Sequence, residues 1–174
     1  CSFQVFKELT QSPSSYGYRC SVMAGAESVN LLQDLRDVSD SIHSISGCFS
    51  GTIGFICTEL SKERKLSEIV KQAQEKGYTE PHPKDDLNGM DVSRKLLILA
   101  RTAGFDVSLD DVELTPFIPE KYLAENNVSV FLDSLKELDE EFLQRIRKAK
   151  QNGLVLRYVA KLDSANGKPS LSVS

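Results

Sequence analysis

The chain has 174 residues, enough to bury a substantial core, and its 40% hydrophobic and 26% charged residues are ordinary for a globular domain. Its net charge of −4 argues against nucleic acid as the main partner, because no basic patch would dominate the field. No apolar run approaches the roughly 20 residues that span a bilayer, and no signal-peptide pattern opens the chain. We therefore expect a cytoplasmic protein without a membrane partner.

Four cysteines, Cys1, Cys20, Cys48 and Cys57, are scattered along the chain without a closely spaced pair. Zinc sites require close pairs of cysteine or histidine, and the chain has only two histidines. The cysteines are better interpreted as buried free thiols.

In chain order, Phe3, Phe6 and Leu9 predict the end of a helix, and a loop over 11–17 follows it. Residues 18–25 are expected to be extended. Apolar spacing then predicts helices over 28–38, 53–61 and 67–76, and an isoleucine-rich alternation predicts a strand over 41–49.

The second half of the chain contributes the elements of a sheet and two helices. The patterns predict a short strand within 106–114, helices over 128–138 and 140–151, and strands over 154–162 and 171–173 joined by a turn at 166–167. Together the elements predict an α+β fold with a mixed, largely antiparallel sheet and helices packed on one face. Neither a GxGxxG segment after a strand nor a P-loop is present, so the chain supplies no phosphate-cradling loop of its own.

The segment over 77–101 concentrates the chemistry of the chain. Pro81 and Pro83 predict a stiff, non-helical connector over 79–85, and Asn88 is a candidate cap for an apolar helix that follows. Four carboxylates and one lysine of this segment are the candidate functional groups: Glu80, Asp85, Asp86, Asp91 and Lys95.

Two interpretations of this cluster stay open on the residues alone. Asp91 and Lys95 lie one helical turn apart, which fits an exposed ion pair worth about 0.2–0.5 kcal/mol. Alternatively, a lysine partly withdrawn from water beside the apolar run exchanges protons near neutrality, while the carboxylates hold a substrate ammonium group.

The segment GYTEPHPKDDLNGMDVSRKLLILAR closely resembles the signature of homoserine dehydrogenases, in the form found in bifunctional aspartokinase–homoserine dehydrogenases. Segments over 24–25, 32–35, 47–52 and 155–159 are similar to others of that family in the same order, so the resemblance covers about residue 18 to the end. It implies an oxidoreductase that interconverts L-aspartate 4-semialdehyde and L-homoserine with NADP or NAD, in threonine and methionine biosynthesis.

The resemblance also implies roles for individual residues. Lys95 would transfer the proton at the substrate oxygen. The other implied positions are Glu80, Asp86, Asp91 and Tyr78 for the substrate, Ser50, Gly51 and Thr52 for the nicotinamide cofactor, and the backbone carbonyls of Val22 and Ala24 for a monovalent cation. A small amino-acid substrate and a homodimer formed through the sheet are the implied partners, in the cytoplasm or, for a plant-like source, in a plastid.

Three departures from the family pattern bear on this expectation. His82 stands where the motif is normally acidic, Glu27 closes the glycine-containing turn, and Arg19 weighs against the cation. We expect residues 1–18 to end a preceding segment, and residues 19–174 to form a catalytic and dimerisation domain cut short at its C-terminal end, without the cofactor-binding Rossmann domain. The isolated chain would then be inactive. The alternative is a non-catalytic assembly or regulatory module derived from the same family.

Overall fold

A computed structural model describes residues 2–11, 16–164 and 169–174 of the chain. The helices are α1 (Phe3–Gln11), α2 (Ser28–Asp37), α3 (Gly51–Leu60), α4 (Leu66–Glu75), α5 (Lys84–Leu87), α6 (Met90–Thr102), α7 (Glu120–Leu123), α8 (Val128–Ser134) and α9 (Asp139–Gln151). The strands are β1 (Ser44–Gly47), β2 (Val112–Leu114), β3 (Ala160–Asp163) and β4 (Ser170–Val173). Within these described residues, no helix is long and apolar enough to cross a membrane.

The chain divides into two compact units, and each contains three separate segments. The first unit comprises Cys1–Phe49, Val92–Leu114 and Val159–Val173; the second comprises Ser50–Asp91, Thr115–Tyr158 and Ser174. The first unit holds all four strands, and the second is helical.

The sheet of the first unit has the strand order β1-β3-β4-β2. β3 pairs antiparallel with both β1 and β4, whereas β4 pairs parallel with β2. The predicted α+β class with a mixed, largely antiparallel sheet is therefore confirmed.

The two faces of this sheet differ in polarity. Ala160 lies opposite Val173 and Leu162 lies opposite Leu171, and all four side chains are buried. The alternate position Lys161 is exposed, since successive side chains of a strand point to opposite faces. One apolar face and one polar face are what a sheet with helices on a single side requires.

Hydrogen bonds to Tyr18 connect two segments of the first unit, Cys1–Phe49 and Val92–Leu114. The Tyr18 hydroxyl accepts from Gln33 Nε2 at 3.1 Å and from Thr102 Oγ1 at 3.2 Å. Thr102 is fully buried at the end of α6, and nearby Arg101 is also buried and donates from Nε to the Val107 carbonyl at 2.9 Å. These bonds satisfy polar groups that would be costly to bury alone.

The helices of the second unit pack through apolar faces, and a carboxylate of α9 caps the start of α4. Ile53 and Ile56 of α3, Phe131 of α8 and Phe142 of α9 are almost completely buried. The main-chain N–H and the hydroxyl of Ser67, in the first turn of α4, donate to the Asp139 carboxylate at 2.8 and 2.7 Å. Asp139 is the first residue of α9, so its carboxylate ties the start of α4 to the start of α9, where a negative charge is also favourable.

Most predicted helices are confirmed within one or two residues at each end, but several local predictions are wrong. The strand predicted over 41–49 is confined to Ser44–Gly47. Residues 18–25, predicted to be extended, form two 3₁₀ turns, Arg19–Ser21 and Met23–Gly25. The predicted non-helical connector over 79–85 gives way to α5 at Lys84.

The strand predicted over 154–162 begins only at Ala160. Ala160 pairs with Gly47 of β1 and Val173 of β4, and both partner strands end at those pairs. The preceding apolar run has no ladder to join, and Leu154 and Val155 are 63% and 64% exposed. The predicted turn at 166–167 lies outside the described residues, as does part of the predicted loop over 11–17.

The cysteine interpretation is only partly right. Cys57 is buried in α3, whereas Cys20 and Cys48 are exposed. Cys1 lies outside the described residues.

Candidate functional site

The acidic segment over 76–89, the acidic turn, connects α4 to α6 and contains the short helix α5. Gly77, with a φ of +69°, ends α4, and Gly89, with a φ of +78°, precedes α6. The Asn88 side-chain oxygen accepts from the main-chain N–H of Met90, the first residue of α6, at 2.8 Å. The predicted Asn88 cap is thus confirmed.

Asp86 lies at the centre of this turn and is half-buried. Its Oδ2 accepts from the Glu80 main-chain N–H at 2.8 Å. Burial raises the pKa of Asp86, hydrogen bonds from the Glu80 N–H and the Thr52 side chain oppose that rise, and the negative charges of Asp91 and Asp85 add to it. The cluster therefore concentrates negative charge around a carboxylate that is partly withdrawn from water.

Thr52 and Tyr78 extend this cluster within the second unit. The Thr52 hydroxyl donates to the Tyr78 carbonyl at 2.6 Å, and this bond holds the start of α3 beside the residue that opens the turn. The Tyr78 ring contacts Phe55 edge-on, with 5.2 Å between centroids, and remains 51% exposed. The ring is thus held on one side and open to solvent on the other.

The small-residue turn before α3 is a helix N-terminus. The Ser50 hydroxyl accepts from the Ile53 N–H at 3.1 Å, which caps the helix. Gly51 is exposed, and a Cβ placed on it would have no atom within 4 Å. The space around Gly51 is therefore open to a ligand.

Lys95 belongs to the first unit and lies one turn after Asp91 along α6. It is half-buried, and its Nζ donates to the main-chain carbonyl of Phe49 at 3.0 Å. This partner could not be predicted from side-chain patterns, because every residue type carries a backbone carbonyl.

The predicted cation ligands lie in a left-handed turn of the first unit. Val22 is fully buried and extended, and it is followed by Met23, Ala24 and Gly25 with φ values of +54°, +51° and +86°. Arg19 is exposed three residues before Val22. The described part of the chain contains no group of three or more histidine, cysteine or acidic side chains that could hold a metal ion.

His82 occupies its position in the acidic turn through packing. Its ring contacts Phe131 with 5.1 Å between centroids, and its Nδ1 accepts from the Lys84 N–H at 3.3 Å. Its Nε2 is buried without a hydrogen-bond partner. The Lys84 amine in turn donates to the Glu125 carbonyl at 2.9 Å and to Asn126 Oδ1 at 2.6 Å, so side chains of the turn anchor it to α8 and to the loop that precedes α8.

The two units divide the predicted site residues between them. The second unit brings together the side chains and small residues assigned to substrate and cofactor: Ser50, Gly51, Thr52, Tyr78, Glu80, Asp86 and Asp91. The first unit contains the proposed proton-transfer lysine and the two backbone positions: Lys95, Val22 and Ala24.

Comparison with known proteins gives a consistent set of relatives. A sequence model of the homoserine dehydrogenase family matches residues 28–174. A bifunctional aspartokinase/homoserine dehydrogenase of Haemophilus influenzae is 41% identical over 170 residues, which are 95% of this chain and 21% of that protein. The chain thus spans about a fifth of the length of this curated relative.

Solved structures support the same fold. A Candida auris protein of unknown function superposes with a TM-score of 0.87 at 31% identity, over 99% of this chain and 51% of that one. A putative homoserine dehydrogenase from Archaeoglobus fulgidus gives a TM-score of 0.61 at 28% identity, over 84% of this chain and 38% of that one.

Proposed function

The chain belongs to the homoserine dehydrogenase family, and from this premise we propose that it supplies the substrate-binding and proton-transfer part of an NAD(P)-dependent homoserine dehydrogenase. The reaction interconverts L-aspartate 4-semialdehyde and L-homoserine, on the route to threonine and methionine. The observation that carries the proposal is the half-buried Asp86, fixed by the Glu80 N–H among further carboxylates.

The carboxylate cluster favours a cationic ligand. Burial raises the pKa of Asp86, and the charges of Asp91 and Asp85 raise it further, so these carboxylates repel one another. A substrate ammonium group would relieve that repulsion and gain charge-assisted hydrogen bonds. Glu80, Asp86 and Asp91 would therefore hold the amino group of the substrate, and Tyr78 would flank it.

Lys95 is the proposed proton carrier. Its amine is half-buried and directed by the Phe49 carbonyl, so it presents a proton from a defined position. In the direction of reduction, the amine would donate this proton to the substrate carbonyl oxygen as that oxygen becomes a hydroxyl. In the reverse direction it would accept the proton.

The turn at Ser50, Gly51 and Thr52 is the proposed contact with the nicotinamide end of NADP or NAD. The open space at Gly51 fits the close approach of a flat ring, and the Ser50 and Thr52 hydroxyls stabilise the turn around it. When bound, the cofactor supplies the hydride, and the chain supplies orientation and the proton. A monovalent cation at the Val22 and Ala24 carbonyls takes no part in this mechanism.

We also propose that the chain assembles as a homodimer through its sheet. The sheet has a polar face and two edge strands, β1 and β2, which offer surfaces of the kind that a second copy would cover. Sedimentation velocity of the purified chain would test this, with a single monomeric species as the contradicting result.

The catalytic proposal is tested in a protein that carries this chain together with a cofactor-binding domain of the family. We expect NADPH-dependent reduction of aspartate semialdehyde, and a loss of about 100- to 10,000-fold in kcat on Lys95→Ala, because the proton donor is removed. Lys71→Ala, at an exposed position of α4, is the matched control and should leave kcat unchanged.

The outcomes separate the two candidate functions. Activity that survives Lys95→Ala would refute the lysine assignment. A complete lack of activity in the assembled protein would favour the non-catalytic assembly or regulatory module instead. For the isolated chain we expect no turnover.

A further inference from the structure

We propose that Gly47 and Phe49 position the Lys95 amine. Gly47, by having no side chain, admits the Phe49 ring, and the seated Phe49 presents its main-chain carbonyl to Lys95. Both are positioning residues, and the inference deepens the proposed function because it explains how the proton carrier is held in place. All three residues belong to the first unit.

The Phe49 ring leaves no room for a side chain at position 47. A Cβ built on Gly47 would lie 2.6 Å from Phe49 Cε1, 3.1 Å from Cζ and 3.3 Å from Cδ1. Contacts as short as the first are essentially never made by real side chains, so any other residue at position 47 must displace the ring.

The position of Gly47 in the sheet explains why the ring lies there. Gly47 is the last residue of β1 and pairs with Ala160 of β3, so two very small residues meet where the ladder ends. The chain then turns, and the Phe49 ring folds back over the glycine, where only 7% of the residue remains exposed. Burial of a phenyl ring fixes the Cα that also carries the carbonyl.

That carbonyl is a hydrogen-bond acceptor for the lysine. Lys95 Nζ donates to the Phe49 oxygen at 3.0 Å from a half-buried side chain. Lysine has a long flexible stem, so a fixed acceptor near its tip decides where the amine points. Leu99, one turn further along α6, lines with Phe49 a cavity of about 680 Å³, which places α6 and the Phe49 ring along the same cavity.

The cavity allows an alternative result of a substitution at Gly47. If Gly47→Ala merely swings the ring into the open space, the main chain at Phe49 will not move, and Lys95 will keep its acceptor. The inference requires instead that the clash is transmitted to the carbonyl.

The test uses the chain as it stands and measures the amine directly. Every lysine is acetylated at one pH with an N-hydroxysuccinimide ester, and the rate at each site is read by peptide mass spectrometry. We expect Gly47→Ala to raise the rate at Lys95 about three- to ten-fold, as the loss of one hydrogen bond from a charged donor allows. The exposed Lys71 and Lys148 serve as internal references.

Two further variants isolate the cause. Gly47→Ala combined with Phe49→Leu removes the two closest ring atoms, so the double variant should return the Lys95 rate to that of the parent chain. Gly54→Ala, where a Cβ would meet no atom within 4 Å, should leave the rate unchanged.

The outcomes test the positioning of Lys95 separately from its proposed role in proton transfer. An unchanged Lys95 rate in folded Gly47→Ala, or a fast rate that persists in the double variant, would overturn the positioning. If Gly47→Ala does not fold, Phe49→Ala decides, because it removes the buried ring without adding an atom at position 47: a faster Lys95 rate supports the positioning, and an unchanged rate overturns it. Positioning that is upheld here while Lys95→Ala leaves kcat intact in the assembled enzyme would refute the proposed function and not the positioning.

Discussion

The acidic turn of the second unit and the left-handed turn of the first are stabilised in different ways. Gly77 and Gly89, both at positive φ, bound the acidic turn, but between them it is held by side chains: Asp86 accepts from the Glu80 N–H, and Asn88 accepts from the Met90 N–H. The left-handed turn is fixed by backbone conformation, with Met23, Ala24 and Gly25 all at positive φ. Its 3₁₀ segment has no side-chain cap.

This difference indicates what each turn is able to present. A turn held by side chains leaves carboxylates in defined positions, whereas a turn held by φ values directs main-chain carbonyls. The left-handed region costs a residue with a Cβ about 1–2 kcal/mol, so the second kind of turn is maintained against strain. The two turns should therefore respond differently to substitution.

The largest effect is expected for function at the acidic turn. Asp86→Asn should lower kcat/KM of the assembled enzyme about 100-fold, because a charge-assisted bond to the substrate ammonium group is lost. Steady-state kinetics with aspartate semialdehyde measures this, with Glu113→Gln, at an exposed position of β2, as the control. Equal kinetics for both variants would remove Asp86 from the substrate site.

The left-handed turn should be more sensitive in stability. Gly25→Ala should lower the free energy of unfolding by about 1–2 kcal/mol, because its φ of +86° disfavours a Cβ and the added atom would lie 3.3 Å from Cys20 Sγ. Urea denaturation checks this. Gly54→Ala in α3, with open space and ordinary φ, should instead be neutral or stabilising.

Loss of a side-chain bond should weaken the acidic turn by a similar or smaller amount. Asn88→Ala should lower the free energy of unfolding by about 1 kcal/mol, the usual cost of removing a helix cap. The same denaturation series measures it. Asn88→Ser keeps a neutral side-chain acceptor and should recover most of the loss, and a Ser variant as destabilised as the Ala variant would show that the cap bond is not the cause.

The smallest effect concerns the pH dependence of stability. Because burial raises the pKa of Asp86, the folded chain binds this proton more tightly than the unfolded chain does. The group therefore contributes stability at low pH and loses that contribution as pH rises through its folded pKa. Asp86→Asn should raise the free energy of unfolding at pH 7 by at most about 0.5 kcal/mol, given its partial exposure.

The gain from Asp86→Asn should disappear below pH of about 3.9, where an ordinary aspartate is protonated in both states. Thermal unfolding between pH 3 and pH 8 measures the difference. A gain that is constant over that range would exclude titration of Asp86 as its source.

The same contrast explains what the sequence predicted well. Helices α4 and α6 were predictable because apolar periodicity, Gly77 and Asn88 encode both the buried face and the ends. The clustering of Glu80, Asp86 and Asp91 around a proline-stiffened segment was also readable, because side-chain type and spacing carry that information.

The failures lie where backbone geometry or distant partners decide. Residues 18–25 were predicted to be extended, because periodicity does not signal left-handed conformations at Met23 and Ala24. The strand over 154–162 was predicted too long, because the length of a ladder depends on where its partners end, and Gly47 and Val173 end it at Ala160. The hydrogen bond from Lys95 to the Phe49 carbonyl could not be predicted either, because the two residues are distant in sequence and the acceptor is a backbone atom.

The pairing of β1 with β3 has a consequence for the order of folding. The Ser164 hydroxyl donates to the His43 carbonyl across 121 residues of sequence, just beyond the paired strands. Closing a loop of that length has an entropic free-energy cost of about 4 kcal/mol, which must be met before any contact across it can form. Helices of the second unit, by contrast, form from local contacts. We therefore expect the first strand to join its sheet late, and its amides to gain protection from hydrogen exchange only after α3 and α4 are protected.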